Sequence, residues 1–219
     1  MLRIFIGYDP RQVISYTALQ QSIFERSSKP VSITPLVLST LPITRRGLTP
    51  FTFSRFLCPW LCDYKGLSLF LDADMIVMGD IAELFSLMDD DASLMVVKNK
   101  MKFEWGSMML FNNEKCQVLT PQYIEKDGNP LTLEWAEKVG DLPAEWNHCV
   151  GYDEPRESPK LIHYTQGVPA WPETKNSEHA DLWFAELKKT MHREPWADLM
   201  GSSVHAKAVY DRLANEKAA

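Results

Sequence analysis

The sequence has few cysteines, and their spacing forms no disulfide or metal motif. Its 219 residues include four cysteines, Cys58, Cys62, Cys116 and Cys149, and none belongs to a Cys-x-x-Cys pair. Disulfide-stapled secreted domains and cysteine-based zinc sites both need closer or more regular spacings. We therefore expect reduced cysteines that serve mostly as small core residues, in a cytoplasmic protein.

Long apolar stretches are absent as well. The longest apolar runs are interrupted within about ten residues, whereas a membrane-spanning helix needs roughly 20. The opening residues 1–6 are largely apolar, but Asp9 follows too soon for the core of a signal peptide. We therefore expect neither a membrane span nor a signal peptide.

An excess of positive charge is also missing. Lysine and arginine together number 23 against 29 acidic residues, which gives a formal net charge of −6 at pH 7. Proteins that bind nucleic acids through the phosphate backbone show the opposite balance, so we expect no nucleic-acid partner. With 45% hydrophobic and 24% charged residues, the composition is that of an ordinary globular protein.

Strands and helices alternate through the first half of the chain. Apolar runs predict strands at 2–7, 31–38, 67–71, 93–97, 107–111 and 160–164. The pattern weakens from 114 to 159, where we expect one helix over 133–139, and residues beyond 175 have helical spacing. This alternation predicts an α/β fold with a mostly parallel central sheet and helices on both faces.

Two helix starts carry the same signal. Asp9 and Thr49 each precede a proline, a pattern typical of an N-cap followed by the first helical residue. The second helix has a strong apolar stripe over 53–61, which Pro59 would kink or break because it lacks a backbone donor. Arg55 lies off that stripe and is free to face a polar cleft.

The sharpest chemical feature is the pair of aspartates in Asp72-Ala73-Asp74, directly after a buried strand. Residues i and i+2 of a strand share a face, so both carboxylates would point the same way. Like charges this close repel each other unless a cation lies between them. Carboxylates together with substrate phosphates are typical ligands of Mg²⁺ or Mn²⁺. The alternative is a turn whose aspartates bond to backbone amides.

Two further residues fall where predicted strands end. His163 closes the last strand and Asp9 follows the first, and ligands of open α/β sheets bind at that edge. His163 could complete a metal site with Asp72 and Asp74, although a lone histidine is more often a hydrogen-bonded structural residue. Asp9 suits contact with a nucleobase or ribose, or it only caps a helix.

Two more segments have both a functional and a structural interpretation. Arg55 could pair with a phosphate, or it forms an exposed salt bridge. Trp105-Gly106, within the stretch 102–107, could present a stacking surface for a sugar ring. The alternative is a tryptophan buried in the core.

Taken together, these segments resemble family 8 glycosyltransferases. The resemblance rests on Thr49–Phe85, with its Phe-Ser-Arg helix, the Leu-Phe-Leu-Asp-Ala-Asp strand end and Gly-Asp-Ile-Ala-Glu-Leu-Phe, and extends from Ile4 to about Trp171. It implies a GT-A-type nucleotide-binding α/β sandwich whose Asp-x-Asp motif holds Mn²⁺ or Mg²⁺ against the diphosphate of a nucleotide sugar. We accordingly expect a catalytic domain over 1–175 and a helical C-terminal extension over 176–219 that packs on it.

The resemblance also implies roles for particular residues. Asp72, Asp74 and His163 match the family's metal ligands, and Asp72, Asp74 and Arg55 would carry catalysis. The residues expected to contact the donor are Tyr8, Asp9, Arg55, Asp72, Ala73, Trp105, Gly106 and Gly167.

Some positions depart from the family pattern. Gly167 follows His163 by four residues rather than three, and the lysine that would meet the diphosphate is missing from 168–171. Trp105 stands where the family has an asparagine. The acid that the family places near the anomeric carbon has no match by motif, and Glu134 and Asp153 are the two candidates for it.

The sequence therefore predicts a metal-dependent glycosyltransferase that uses a nucleoside-diphosphate sugar, with a UDP-sugar as the first expectation. The acceptor would be a glycan or another hydroxyl compound, and family members retain the anomeric configuration. One alternative is a haloacid-dehalogenase-type phosphatase with Asp72 as nucleophile, although Ile76 replaces the Thr or Val of that motif. The other is a GT-A domain that binds a nucleotide sugar without turnover.

Overall fold

The computed structural model describes residues 1–218, which form nine strands and six α-helices. The strands are β1 (Leu2–Gly7), β2 (Val31–Leu36), β3 (Leu67–Leu71), β4 (Met75–Val77), β5 (Leu94–Val96), β6 (Met108–Asn112), β7 (Val139–Asp141), β8 (His148–Cys149) and β9 (Leu161–His163). The helices are α1 (Val13–Arg26), α2 (Cys58–Leu61), α3 (Ile81–Ser86), α4 (Ala180–Thr190), α5 (Trp196–Met200) and α6 (Val204–Ala218).

The strands form two sheets. The larger has the order β2-β1-β3-β6-β5-β7, and the smaller has the order β4-β9-β8. In the larger sheet the pairs β1–β2, β1–β3 and β5–β7 are parallel, and β6 runs antiparallel to both of its neighbours. The predicted mostly parallel α/β sheet is therefore confirmed, but β9, which we expected at the same edge, belongs to the second sheet.

Both faces of the larger sheet are covered, as the alternating strand pattern requires. Ile4 and Leu69 face α1, where Leu19 is fully buried in the same cluster. Phe70 faces the opposite side and packs with Phe56 from the segment before α2. The strong burial of β3 on both faces explains why all its residues except Ser68 are apolar.

The smaller sheet and the C-terminal helices form a third layer. Ile76 and Ile162 pack with the fully buried Trp183 of α4. Arg26, at the end of α1, lies 2.6 Å from Glu186 of α4, and Glu186 is 2% exposed. Helix α4 thus packs on α1 and the smaller sheet. The division into 1–175 and 176–219 stays a prediction, and its last residue lies outside the described range.

The two predicted helix starts are wrong. Helix α1 begins at Val13 and its N-cap is Gln12, because the Asp9 carboxylate accepts hydrogen bonds from Arg11 instead of capping the helix. After Pro50 the chain forms a turn and a 3₁₀ segment at Ser54–Leu57 before α2 starts at Cys58. Pro59 therefore lies in the first turn of α2, where its missing N–H costs nothing, and it does not kink a longer helix.

Other local expectations have mixed outcomes. The helix predicted over 133–139 is wrong: Leu133 has a left-handed backbone with φ of 60°, and the segment leads into β7. Asp80 caps α3, since its side chain accepts a hydrogen bond from the Ala82 amide. All four cysteines are free and buried. Within residues 1–218, none of the helices combines the length and apolar character needed to cross a bilayer.

Candidate active site

Asp72-Ala73-Asp74 links the two sheets, since β3 ends one residue before it and β4 begins one residue after it. The backbone is fixed at both ends: the Asp72 amide donates to the Ser107 carbonyl at 2.8 Å, and the Tyr164 amide donates to the Asp74 carbonyl at 2.9 Å. Ala73 is 1% exposed and packs in the core, while both aspartates line a cavity. The prediction that the two carboxylates share one side is confirmed.

His163 lies beside the two aspartates. Because β4 pairs with β9, Met75 is opposite His163, and His163 Nε2 lies 3.4 Å from Asp74 Oδ1. One ligand atom from each of Asp72, Asp74 and His163 falls within 4.8 Å of the other two. The pairing of these two strands thus joins residues far apart in the sequence.

The ligand atoms of this cluster suit a divalent cation. Asp72 Oδ1 and Asp74 Oδ1 are buried and accept no hydrogen bond within residues 1–218, although Arg55 Nη2 and His163 Nε2 lie 3.1 and 3.4 Å from them as charged neighbours. Burying a carboxylate oxygen without a hydrogen bond costs free energy. In the alternative considered from the sequence, backbone amides would donate to these oxygens, and the described part of the chain does not show those bonds. Two carboxylates and one imidazole are a ligand set suited to Mn²⁺ or Mg²⁺.

The second nitrogen of His163 is held from the other side. Its Nδ1 lies 3.2 Å from Asn147 Oδ1, and Asn147 Nδ2 donates to Ser107 Oγ at 3.1 Å. Glu104 Oε2 is 3.8 Å from the same Nδ1. A histidine whose Nδ1–H donates to an oxygen leaves Nε2 with its lone pair, which is how most metal-binding histidines are oriented.

Arg55 closes the site next to Asp72. Its side chain is mostly buried, and Nη2 lies 3.1 Å from Asp72 Oδ1 as an ion pair. Nη1 donates to the Gly106 carbonyl, and the guanidinium lies over the Phe70 ring at 4.9 Å from its centroid. The expectation that Arg55 faces a polar cleft is confirmed, and the exposed salt bridge considered as its alternative is not formed.

Burial and like charge perturb the titration of this cluster. Burial, against the opposing charge of Arg55 and with a smaller contribution from Asp74, raises the pKa of Asp72 from 3.8 to about 7. Burial also raises the pKa of Glu104. Burial by itself lowers the pKa of His163, but the nearby Asp74 charge outweighs it and the net pKa is well above 6.5. The cluster therefore retains protons at a pH where isolated carboxylates would be ionised.

These groups surround a cavity of about 450 Å³. Arg55 and Lys102 are the lysine or arginine side chains that line it within residues 1–218. Trp105 also lines it and donates its indole N–H to the Asn99 carbonyl at 3.1 Å. The ring is half-buried, with one side in the core and Lys102 Nζ 5.6 Å from its centroid. Trp105 thus packs partly against the core and also forms part of the cavity wall.

The remaining predicted donor contacts lie elsewhere. Tyr8 lines a separate cavity of about 470 Å³. Asp9 is buried, and the Arg11 guanidinium, with Nε at 2.9 Å, lowers the pKa of that carboxyl. Gly167, with φ of +111°, lines a third cavity of about 230 Å³. Ala73 points into the core. The structure therefore brings together Arg55, Asp72, Asp74, Trp105, Gly106 and His163, and leaves these four apart.

Three residues at the site were not identified from the sequence. Glu104 and Lys102 lie in the stretch noted for Trp105, but neither has a motif that marks it. Asn147 falls in the segment with weak periodicity. Of the two candidates for an acid near the sugar, Glu134 is exposed and Asp153 accepts a hydrogen bond from the Cys149 amide, and neither lines the cavity.

Comparison with known proteins identifies the family. The model of glycosyl transferase family 8 matches residues 8–120. Protein CDI of Arabidopsis thaliana is 35% identical over 225 residues, covering 85% of this chain and 86% of the relative.

Solved structures give the same fold. The bifunctional glycosyltransferase WbbM superposes with a TM-score of 0.67 at 15% identity, covering 96% of this chain and 51% of WbbM, so the chain spans about half of that protein. LgtC superposes with a TM-score of 0.61 at 13% identity, covering 89% of this chain and 98% of LgtC. These neighbours are GT-A glycosyltransferases. By its family match, its relative and its fold, the chain belongs to glycosyl transferase family 8.

Proposed function

We propose that this glycosyltransferase transfers a sugar from a nucleoside-diphosphate sugar, a UDP-sugar in the first instance, to a hydroxyl group of a glycan. The observation that carries the proposal is a cluster of two aspartates and a histidine beside a buried arginine, in which the buried aspartate Oδ1 atoms accept no hydrogen bond within residues 1–218. Such a cluster has charge and ligand atoms to bind a metal diphosphate, and it opens into a cavity of about 450 Å³.

Asp72, Asp74 and His163 would hold the cation. Their ligand atoms already lie close together, and the Asn147 contact keeps His163 Nε2 directed at the site. When bound, Mn²⁺ or Mg²⁺ would neutralise charge that develops on the departing nucleoside diphosphate. The same residues would position the diphosphate and exclude water from its oxygens.

Arg55 and Lys102 would bind the phosphates. Arg55 is held by Asp72, Gly106 and Phe70, so its guanidinium is already in place before the donor arrives. A fixed guanidinium is well suited to the paired oxygens of a phosphate. Lys102 lines the same cavity from the opposite segment and would supply the positive charge of the lysine that 168–171 lack.

Trp105 and Glu104 would contact the sugars. The indole ring offers an apolar face at the cavity wall, which suits the C–H side of a pyranose. Glu104 is the carboxylate that lines this cavity besides the two aspartates, and it would accept hydrogen bonds from sugar hydroxyls. The family suggests retention, with the acceptor attacking from the front face while the departing phosphate accepts its proton.

The separate cavity of about 470 Å³ that Tyr8 lines would hold the nucleoside. Tyr8 lines it together with Val37, Leu38 and Arg46. Asp9 would act indirectly by positioning Arg11, since its carboxylate accepts a hydrogen bond from the Arg11 guanidinium. Backbone groups of Ala73 and Gly167 would complete the donor contacts. A cytoplasmic location also belongs to this proposal, supported by the four free cysteines.

The test is release of nucleoside diphosphate from a panel of nucleotide sugars with Mn²⁺ and glycan acceptors. We expect Asp74→Asn to abolish the Mn²⁺-dependent release, because it removes a cation ligand. Asp90→Asn is the matched control, since Asp90 is exposed and does not line the cavity, and it should leave the rate unchanged.

Two outcomes would contradict the proposal. Donor binding without any nucleoside diphosphate release, across the panel, would indicate a binding domain without turnover. Release of inorganic phosphate that depends on Asp72 would indicate the phosphatase, which membership of family 8 already argues against.

A further inference from the structure

A second cluster of metal-ligand side chains lies outside the cavity just described. It consists of His148 on β8 and of Glu178 and His179 directly before α4. We propose that His148, Glu178 and His179 bind a zinc ion that ties the start of α4 to the smaller sheet. This site is independent of the donor-binding function.

The three side chains converge on one point. Their ligand atoms all lie within 4.8 Å of one another. Glu178 bridges the two imidazoles: its Oε2 is 3.2 Å from His148 Nε2, and its Oε1 is 3.0 Å from His179 Nε2. Ligands of a tetrahedral zinc at the usual bond lengths are about 3.3 Å apart, so these separations suit a shared ion. The ion would replace the hydrogen bond between His148 Nε2 and Glu178, and the one between His179 Nε2 and the Arg156 carbonyl at 3.0 Å.

The cluster is held in place by its surroundings. The side chain of His148 is 1% exposed, so it cannot turn freely into solvent. The Arg156 amide donates to Glu178 Oε1 at 3.1 Å, which orients the carboxylate. His179 has a left-handed backbone with φ of 58°, a conformation that the Tyr164 hydroxyl supports by donating to its carbonyl. A site that is already assembled loses little entropy when the ion binds.

The outer contacts also suit a metal-binding histidine. The other nitrogen of His148, Nδ1, is buried without a hydrogen-bond partner within residues 1–218 and lies 4.0 Å from Asp153 Oδ2, so a small shift of the ring would let it donate to that carboxylate. Metal-binding histidines usually direct their second nitrogen at a carboxylate, which fixes the ring and makes the ligand nitrogen more basic. Asp153 is itself fixed, because its Oδ2 accepts a hydrogen bond from the Cys149 amide at 2.8 Å.

The ligand types favour zinc over the ion of the first cluster. Two imidazoles and one carboxylate, with a fourth position left for water, are a zinc ligand set. Mg²⁺ and Mn²⁺ prefer oxygen, which makes Asp72 and Asp74 their better site. The chain would therefore hold two different ions at two places.

The consequence of zinc binding would be mechanical. Glu178 and His179 precede the helix that carries Trp183, and His148 follows Asn147, the residue that contacts His163. A zinc ion would thus fix the start of α4 on the strand that supports the first cluster. Zinc binding should raise the melting temperature, since a ligand that binds the folded state stabilises it.

The experiment is a zinc titration of the metal-free full chain against a chromogenic zinc chelator, repeated on variants. We expect Glu178→Gln and His179→Asn each to lower the zinc affinity at least about 100-fold, more than is lost on changing an outer contact. Asparagine tolerates the left-handed backbone of position 179. His192→Asn is the matched control, because the His192 side chain is 71% exposed and remote from the cluster.

Further measurements separate this site from the first one. Asp74→Asn should leave the zinc affinity unchanged, and Co²⁺ should give visible absorption bands of a four-coordinate ion that Glu178→Gln removes. Without metal, Glu178→Gln and His179→Asn should keep the melting temperature of the wild type, since both side chains are partly exposed. Zinc affinity that survives both variants, or that only Asp74→Asn abolishes, would overturn the proposal.

Discussion

Replacing Asp72 by asparagine should stabilise the protein in the absence of metal. Burial raises the pKa of Asp72 from 3.8 to about 7, so ionising it in the folded state costs free energy. At about 1.4 kcal/mol for each pH unit, this rise corresponds to roughly 4 kcal/mol at pH 8. This pKa already includes the attraction of Arg55, 3.1 Å away, so we expect a net gain of at least about 2 kcal/mol.

The raised pKa also fixes the direction in which the stability of the wild type changes with pH. The folded-state pKa of Asp72 lies above its unfolded value, so the folded protein binds an extra proton between the two. The stability of the wild type should therefore fall as pH rises from about 4 to about 7 and then level off with respect to this group. His163, whose pKa is also raised, adds a fall in the same direction. The difference between wild type and Asp72→Asn isolates the contribution of Asp72.

The assay is thermal unfolding with a chelator at several pH values. For a chain of this size, 2 kcal/mol corresponds to a melting temperature about 4–8 °C higher at pH 8. The gain should shrink towards pH 4, and Mn²⁺ should stabilise the wild type but not the variant. Asp90→Asn, on the exposed surface, is the control and should show neither effect.

One result would refute the reasoning. If Asp72→Asn is no more stable than the wild type at pH 8 in chelator, the buried carboxylate is not an unfavourable charge. The cluster would then not be built around a cation, because the cost of burying the Asp72 charge, which Arg55 offsets only in part, is what the cation would remove.

Two other substitutions test the cavity and the C-terminal packing. Lys102→Gln should raise the donor KM by about tenfold or more with a smaller change in kcat, because one charged hydrogen bond to phosphate is lost. The matched control is Lys100→Gln, an exposed residue that does not line the cavity, and an equal effect from both would assign the loss to general charge. Glu186→Gln should cost about 2 kcal/mol at pH 7, because this buried carboxylate pairs with two cations. Those cations lower its pKa despite burial, so its contribution is present above about pH 4.5 and lost as pH falls through the lowered pKa, which urea unfolding at pH 7 and pH 3.5 would measure.

Much of the architecture could be predicted from local pattern. The strands predicted at 2–7 and 67–71 are β1 and β3, because their apolar residues alternate between two buried faces. Asp72 and Asp74 do share one side, with Ala73 in the core, as predicted, although a turn and not a strand joins β3 to β4 there. Helix starts were predicted less well, since the Asp9 carboxylate had a stronger partner in Arg11 than in a helix amide.

Local sequence pattern was enough to single out the residue types of the candidate site: two acids directly after a buried strand, and Arg55 in the segment before α2. Tertiary structure alone decided which distant residues join them, because β9 pairs with β4 in a second sheet and so brings His163 to Asp74. It also placed Glu104 and Lys102 in the cavity and Tyr8 in another. Contacts of this kind depend on strand register and loop paths, which no local periodicity encodes, because they are set by the packing of the whole core.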